Sequence, residues 1–229
     1  MSSSPSSDQL ALADVRRQID ALDREILAAI EKRAALAGAV VAAKGGQHIF
    51  RPGREADLIR GLVESTRLPP QMIEVIWRQM IANNITRQQR LKIAMLGDDQ
   101  VKSTASFCFG GAVDQAIKPD AGHVLDAVAN NQVDLGVLPH WQDDAGWLEH
   151  MQAHQGRVYI MAVSPLIKGH HVAGQPLKDG VIVARQLPDA SAADVTLCLA
   201  DGKLVEHDGY HADADGLIGI FQKRYFFAI

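Results

Sequence analysis

The stretch DQLALADVRRQIDALDREILAAIEKRAALAGAVVAAK, residues 8–44, decides the fold of the first part of the chain. It contains no proline, and at about 100° per residue its apolar side chains gather on one side. Leu12, Val15, Ile19, Leu22, Ile26, Ile30, Ala37 and Val40 fall within an arc of roughly 80°. This period predicts a single helix about 55 Å long, ended by Gly45-Gly46, as glycine commonly ends helices. Arg33 and Lys44 fall inside the same apolar arc, whereas Arg17, Arg24 and Lys32 point away from it. A helix this long cannot bury its stripe against two short helices alone, so self-association is expected.

Two shorter helices follow in the pattern. One runs from Gly53 to Thr66, entered through Pro52 and stopped before Pro69-Pro70. Its expected buried face is Leu58, Ile59, Leu62 and Val63, with Glu55 at the centre of that face and Arg54 at its edge. The other starts around Pro70, where proline suits the first turn. Its expected buried face is Ile73, Ile76, Trp77, Met80 and Ile81, continued at helical spacing by Asn84 and Gln88. After Arg90 the texture changes to short apolar runs punctuated by Gly, Asp and Pro. Charge changes with it: residues 1–90 carry 13 Lys/Arg against 10 Asp/Glu, and residues 91–229 carry 10 against 17. These shifts predict a helical domain over 8–90 and an α/β domain with a mixed sheet over 91–229.

Composition narrows the class. The chain has 229 residues, 47% hydrophobic and 22% charged, which is ordinary for a soluble globular protein. No apolar run reaches the roughly 18 residues of a membrane span, and the opening SSSPSS lacks the layout of a signal peptide. Cys108 and Cys198 make neither a disulfide framework nor a paired-cysteine metal site. A net charge of -4 argues against nucleic acid as the main partner. A cytoplasmic protein with a small-molecule ligand is expected, without nucleic acid or membrane as partner.

Five polar residues, Arg33, Lys44, Glu55, Asn84 and Gln88, stand where the helical pattern demands hydrophobes. Snorkelling at the rim or pairing with Glu55 would explain any one of them. Together they leave two cations against one carboxylate, and burying unpaired charge is costly. Arg16 and Arg54, at the edges of their stripes, add to the excess. The set describes a small, water-poor pocket for a compact polyanion.

The stretch Val15–Asp23, the spacing of Arg33 and Lys44, the Arg54-Glu55 pair and the terminal Gln88 resemble the all-helical chorismate mutases over about residues 9–90. The resemblance implies an intertwined homodimer of three-helix subunits that rearranges chorismate to prephenate. Carried over by position, Arg33 and Arg16 hold the substrate carboxylates, with Arg16 supplied by the other subunit. Lys44 and Gln88 flank the ether oxygen, Glu55 takes the ring hydroxyl, and Arg54 and Asn84 line the ligand. Arg51 stands where some members have an acidic residue, and Asn84 where some have serine. A pericyclic rearrangement needs no nucleophile, proton transfer, metal or cofactor. The protein restricts a floppy dicarboxylate to its reactive shape and stabilises charge on the ether oxygen as the C–O bond breaks.

In the second half the apolar runs 93–96, 133–138, 158–163, 181–184 and 195–199 predict strands, and 122–131 and 103–117 predict helices. Lys203–His211 reads as a hairpin. Ile93–Gly97 with Ser103-Thr104, then Asp134–Pro139, resemble the opening lobe of a prephenate dehydratase, which would consume the mutase product. Pro139 is followed by His140-Trp141-Gln142 where that family has Glu-Asn-Ser. Its Thr-Arg-Phe segment is reduced to Ala184-Arg185-Gln186, and residues 164–181 are too few for a second lobe. A shortened, degenerate dehydratase-like domain is expected. His207 and His211 have the spacing of two ligands on a helix, but a solvated acidic turn explains them as well. The mutase reading competes with two others: a non-catalytic dimeric regulator that binds an aromatic-pathway metabolite, and a bifunctional mutase-dehydratase.

Overall fold

The computed structural model describes residues 7–43, 50–88, 90–111, 113–172, 174–200 and 203–225, with the side chains of 7–10, 40–43, 86–88 and 172 outside that description. Two compact units divide between Gln47 and His48.

The first unit holds α1, Ser7–Ala43, the single long helix that the apolar period demands. Its large apolar stripe residues are bare: Leu12 is 50% exposed, Ile19 51%, Ile26 56% and Ile30 40%. Exposing this many large apolar side chains in one line is costly in water.

The second unit begins with α2 (Pro52–Glu64) and α3 (Pro70–Gln88), which the prolines at their first turns predict closely. It continues through β1 (Lys92–Leu96), α4 (Asp99–Phe109), β2 (Asp114–Lys118), α5 (Ala121–Ala129), β3 (Leu135–Pro139), α6 (Leu148–Ala153) and β4 (Tyr159–Ser164). The short strands β5 (His171–Val172) and β6 (Gln175–Pro176) form a separate ribbon. After them come β7 (Gly180–Ala184), β8 (Asp194–Ala200), β9 (Lys203–Asp208) and β10 (Leu217–Gln222).

Eight strands form one mixed sheet in the order β2-β1-β3-β7-β4-β10-β8-β9. The pairs β1–β2, β1–β3 and β4–β10 are parallel, and β3–β7, β4–β7, β8–β10 and β8–β9 antiparallel. Both faces of the central strands are covered, which explains their continuous apolar runs. Val124, Leu125 and Val128 of α5 cover one face together with Trp147 and Met151. On the other face Val101, Ala105 and Phe109 of α4 pack with Phe50 and Ile85 against Ile93, Met95 and Val137.

Two expectations change, and one strand was not expected. The helix over 103–117 stops at Phe109, where Gly110 caps it at φ 67°, and 114–118 is an edge strand instead. Lys203–His211 is not a self-contained hairpin: β9 is the return strand of a hairpin with β8, paired from Ala200↔Lys203 to Val195↔Asp208. Strand β10 interrupts no clear alternation in sequence, yet it lies in the middle of the sheet. Gly219 is required there because a Cβ would meet Ile160 at 2.3 Å.

The boundary expected near residue 90 also differs from the compact units, because α2 and α3 pack on the α/β elements. Ala56, Ile59, Val63 and Ile73 form one apolar cluster with Leu166 and Ile167 of the loop after β4. The Arg60 guanidinium donates to the carbonyls of Ala193 and Lys223 at 3.0 and 3.2 Å. Arg51, the residue before α2, offers no side-chain cap. Asp189 supplies one from a distance, accepting the backbone N–H groups of Gly53 and Arg54 at 3.1 and 3.0 Å, a favourable place for a carboxylate.

Candidate functional site

Six of the seven expected pocket residues lie on the three helices. Arg16 is exposed and Arg33 half-buried, both on α1. Lys44 lies outside the described residues. On α2, Arg54 is exposed and Glu55 buried; on α3, Asn84 is half-buried and Gln88 ends the helix, its side chain outside the description. Arg51 does not stand free in its unusual position: its guanidinium lies 3.2 Å from Asp189.

Glu55 has a partner that the sequence reading did not name. Its carboxylate accepts from Arg78 of α3 at 2.6 Å, and both side chains are buried. Arg78 also lies 3.6 Å from Glu74, one helical turn earlier. Glu74 is fully covered and accepts three hydrogen bonds, from the N–H groups of Leu166 and Ile167 at 2.8 Å each and from His170 Nε2 at 2.9 Å. His170 in turn rests edge-on against Phe107, ring centres 5.0 Å apart.

This environment divides the two carboxyls. Burial pushes Glu55 up to about 7, against the Arg78 charge and a backbone hydrogen bond from Arg51, and the Asp189 charge adds to the rise. Burial acts on Glu74 in the same sense, but the His170 hydrogen bond, the Arg78 and His170 charges and the Ile167 N–H outweigh it and hold Glu74 below the ordinary range. Burial would lower Arg78, yet Glu55 and Glu74 together keep its guanidinium above its ordinary value. These are the directions expected when desolvation competes with close charge.

The buried face of α3 is therefore turned from the one expected. Ile73, Glu74, Arg78, Ala82 and Ile85 are covered, while Met72, Val75 and Ile76 are exposed. A Glu–Arg pair four residues apart on a helix ordinarily marks a solvated face. The only sequence signal that it does not is its phase, one residue behind Ile73 and in line with Ile81 and Ile85.

In the sheet, the residues replacing the dehydratase-like motifs are committed to structure. His140 stacks on Trp141 with ring centres 3.9 Å apart, and its Nδ1 accepts the N–H of Gln142 at 3.2 Å. Ala184 is buried and brings no hydroxyl. Arg185 donates to the carbonyls of Val128 and Val133, both at 2.9 Å, and so closes the end of α5. Cys108 donates to Ser164 Oγ at 3.0 Å, and burial pushes its thiol up to about 11, which makes it a core residue and a poor nucleophile. His207 lies on β9 and His211 in the loop beyond, so the helical ligand spacing does not exist. His211 Nε2 hydrogen-bonds the carbonyl of Asp208 at 2.9 Å. Among the described residues no helix is long and apolar enough to cross a membrane.

Residues 15–89 match the family model for chorismate mutase type II. A bifunctional chorismate mutase/prephenate dehydratase of Pseudomonas aeruginosa is 30% identical over 155 residues, covering 63% of this chain and 42% of that protein. A bifunctional protein of the same description from Neisseria gonorrhoeae is 28% identical over 128 residues, 54% of this chain and 35% of that protein. The first alignment is longer than the whole stretch before residue 91, so it extends into the sheet. The chain spans less than half the length of these curated relatives. A solved prephenate dehydratase from Streptococcus mutans aligns over 59% of this chain and all of its own, at 12% identity and a TM-score of 0.38. That likeness is too slight to carry an argument; the mixed sheet stands on its own strand pairs.

Proposed function

We propose that this chain is a chorismate mutase, with its pocket built on the chorismate mutase type II segment of residues 15–89, and that it converts chorismate to prephenate without a cofactor. That match carries the reading. Arg33 and Arg16 bind the two carboxylates, Lys44 and Gln88 donate to the ether oxygen, Glu55 takes the ring hydroxyl, and Arg54 and Asn84 complete the lining. Donors held where negative charge grows as the C–O bond lengthens favour the transition state over bound substrate.

The pocket is shared within a homodimer. Arg16 and Arg33 lie on one helix, 17 residues and thus about 25 Å apart along its axis. A compact dicarboxylate cannot bridge that distance, so the two arginines meet one ligand only if each comes from a different subunit. The bare stripe of α1 supplies apolar surface for such a pairing. An arginine delivered in this way makes a bidentate, charge-assisted contact with a carboxylate.

The sheet does not dehydrate prephenate in this reading. Ala184 offers no hydroxyl for acid-assisted loss of water, and Arg185 is occupied by two carbonyls. The test compares Arg33→Ala and Lys44→Ala with the unchanged protein. Each variant should lose mutase turnover by roughly 10²–10³ while keeping its helical circular dichroism. Turnover close to that of the unchanged protein in either one contradicts the pocket assignment.

A further inference from the structure

Glu74 and Arg78 are buried charges that the mutase reading leaves without a role. Glu74 is fixed by backbone: two of its hydrogen bonds come from the N–H groups of Leu166 and Ile167, and the third from His170 in the same loop. A carboxylate held this way cannot swing. Arg78 is then caught between Glu74 at 3.6 Å and Glu55 at 2.6 Å. Two carboxylates around one guanidinium leave an excess negative charge in a water-poor site, which is costly unless a proton is taken up. Glu74 has three further donors to stabilise its ionised form, so the proton goes to Glu55.

The geometry points to Arg78 as a positioning residue for the Glu55 carboxyl, held by Glu74 and the 166–170 loop, through which the α/β elements set where Glu55 sits and whether it is protonated during mutase turnover. This rests on the proposed role of Glu55 at the ring hydroxyl. A protonated carboxyl donates to that hydroxyl and an ionised one only accepts from it, so the state of Glu55 alters how the ring is held. The rise of Glu55 to about 7 agrees with this charge count. The charged and titratable groups acting on the cluster are Arg78 and Glu74 from α3, Asp189 from the segment between β7 and β8, Cys108 from α4 and His170 from the loop after β4, with the Arg51 backbone hydrogen-bonding Glu55.

The test measures kcat/KM for chorismate against pH in the full-length protein, beside a carbon NMR titration of the Glu55 carboxyl, assigned by its loss in Glu55→Gln. Glu74→Gln leaves the whole Arg78 charge to Glu55, so both midpoints should move down, on the order of one pH unit. Arg78→Gln removes the cation, so both should move up by at least as much. Loosened packing would hydrate the carboxyl and move the midpoint down in both variants, so the upward shift in Arg78→Gln separates charge from packing. If Glu74→Gln does not fold, Arg78→Gln prepared below the midpoint, where Glu55 is neutral, still decides the matter. Midpoints unmoved in the NMR titration overturn the proposal, and so does a shift in NMR that turnover does not follow. If the unchanged protein does not turn over chorismate, the mutase reading fails, and the NMR midpoints alone decide whether Arg78 and Glu74 control Glu55.

Discussion

Replacing Glu55 by glutamine should remove a pH dependence of stability that the buried pair imposes. The Glu55 carboxyl rises from 4.5 to about 7 on folding. A raised carboxyl binds its proton more tightly in the folded state, so its stabilising contribution is complete below about 4.5 and is lost as pH climbs through about 7. One proton is at stake, worth about 1.4 kcal/mol per pH unit in that window, so the full loss is about 3 kcal/mol. The carboxyl is only 7% exposed, so solvent screening takes little from this figure. Denaturant unfolding at fixed protein concentration, from pH about 4.5 to about 8, should show the unchanged protein declining relative to Glu55→Gln. Glu74 is held below its ordinary range, so its contribution is present above that range and is lost as pH falls through the folded value. Glu74→Gln should therefore flatten the acid side and, because it lowers the Glu55 midpoint, end the neutral decline about one pH unit earlier. Parallel curves for Glu55→Gln and the unchanged protein would refute the claim that Glu55 is a buried, proton-binding carboxyl.

Two further outcomes follow from particular contacts. Gly53→Ala should destabilise by about 1–3 kcal/mol in thermal or denaturant unfolding, because its Cβ would lie 2.1 Å from the Asp189 carbonyl oxygen and push α2 off its cap; an unchanged Tm would show that this cap yields freely. Mixing inactive Arg16→Ala with inactive Lys44→Ala under conditions of subunit exchange should restore up to half of the sites in each heterodimer, since one pocket then carries both lesions and the other neither. Confirmed exchange by mass without recovered activity would assign Arg16 to its own subunit or to no pocket.

The helices were legible because their signals are local. Proline at the first turn and the long 3.6-residue period predict α1, α2 and α3 to within a few residues, while the expected stop at Gly45-Gly46 lies outside the described residues. Strands β1, β3, β4, β7 and β8 were legible as apolar runs for the same reason. Elements defined by distant partners were not. Strand β2 is an edge whose outer residues meet solvent, so Asp114–Lys118 lacks an apolar run. Strand β10 owes its central place to Ile160 and to the β8 register, neither of which its own residues announce. At the candidate site, the excess of cations and the odd polar positions were readable. The turn of α3 that buries Glu74 and Arg78 was not, because the loop at 166–170 that anchors Glu74 lies more than 90 residues away. The same distance hides why Arg51 tolerates its place: Asp189 pairs with it only in the folded chain.

In the proposed reading residues 15–89 form a working mutase pocket and the sheet does not dehydrate prephenate. Incubating the purified full-length chain with chorismate and identifying the products over time tests both halves at once. Chorismate should be consumed, prephenate should accumulate, and phenylpyruvate should appear no faster than it does from prephenate without protein. Unchanged chorismate would contradict the mutase pocket, and steady phenylpyruvate formation above that background would contradict the reading of Ala184 and Arg185.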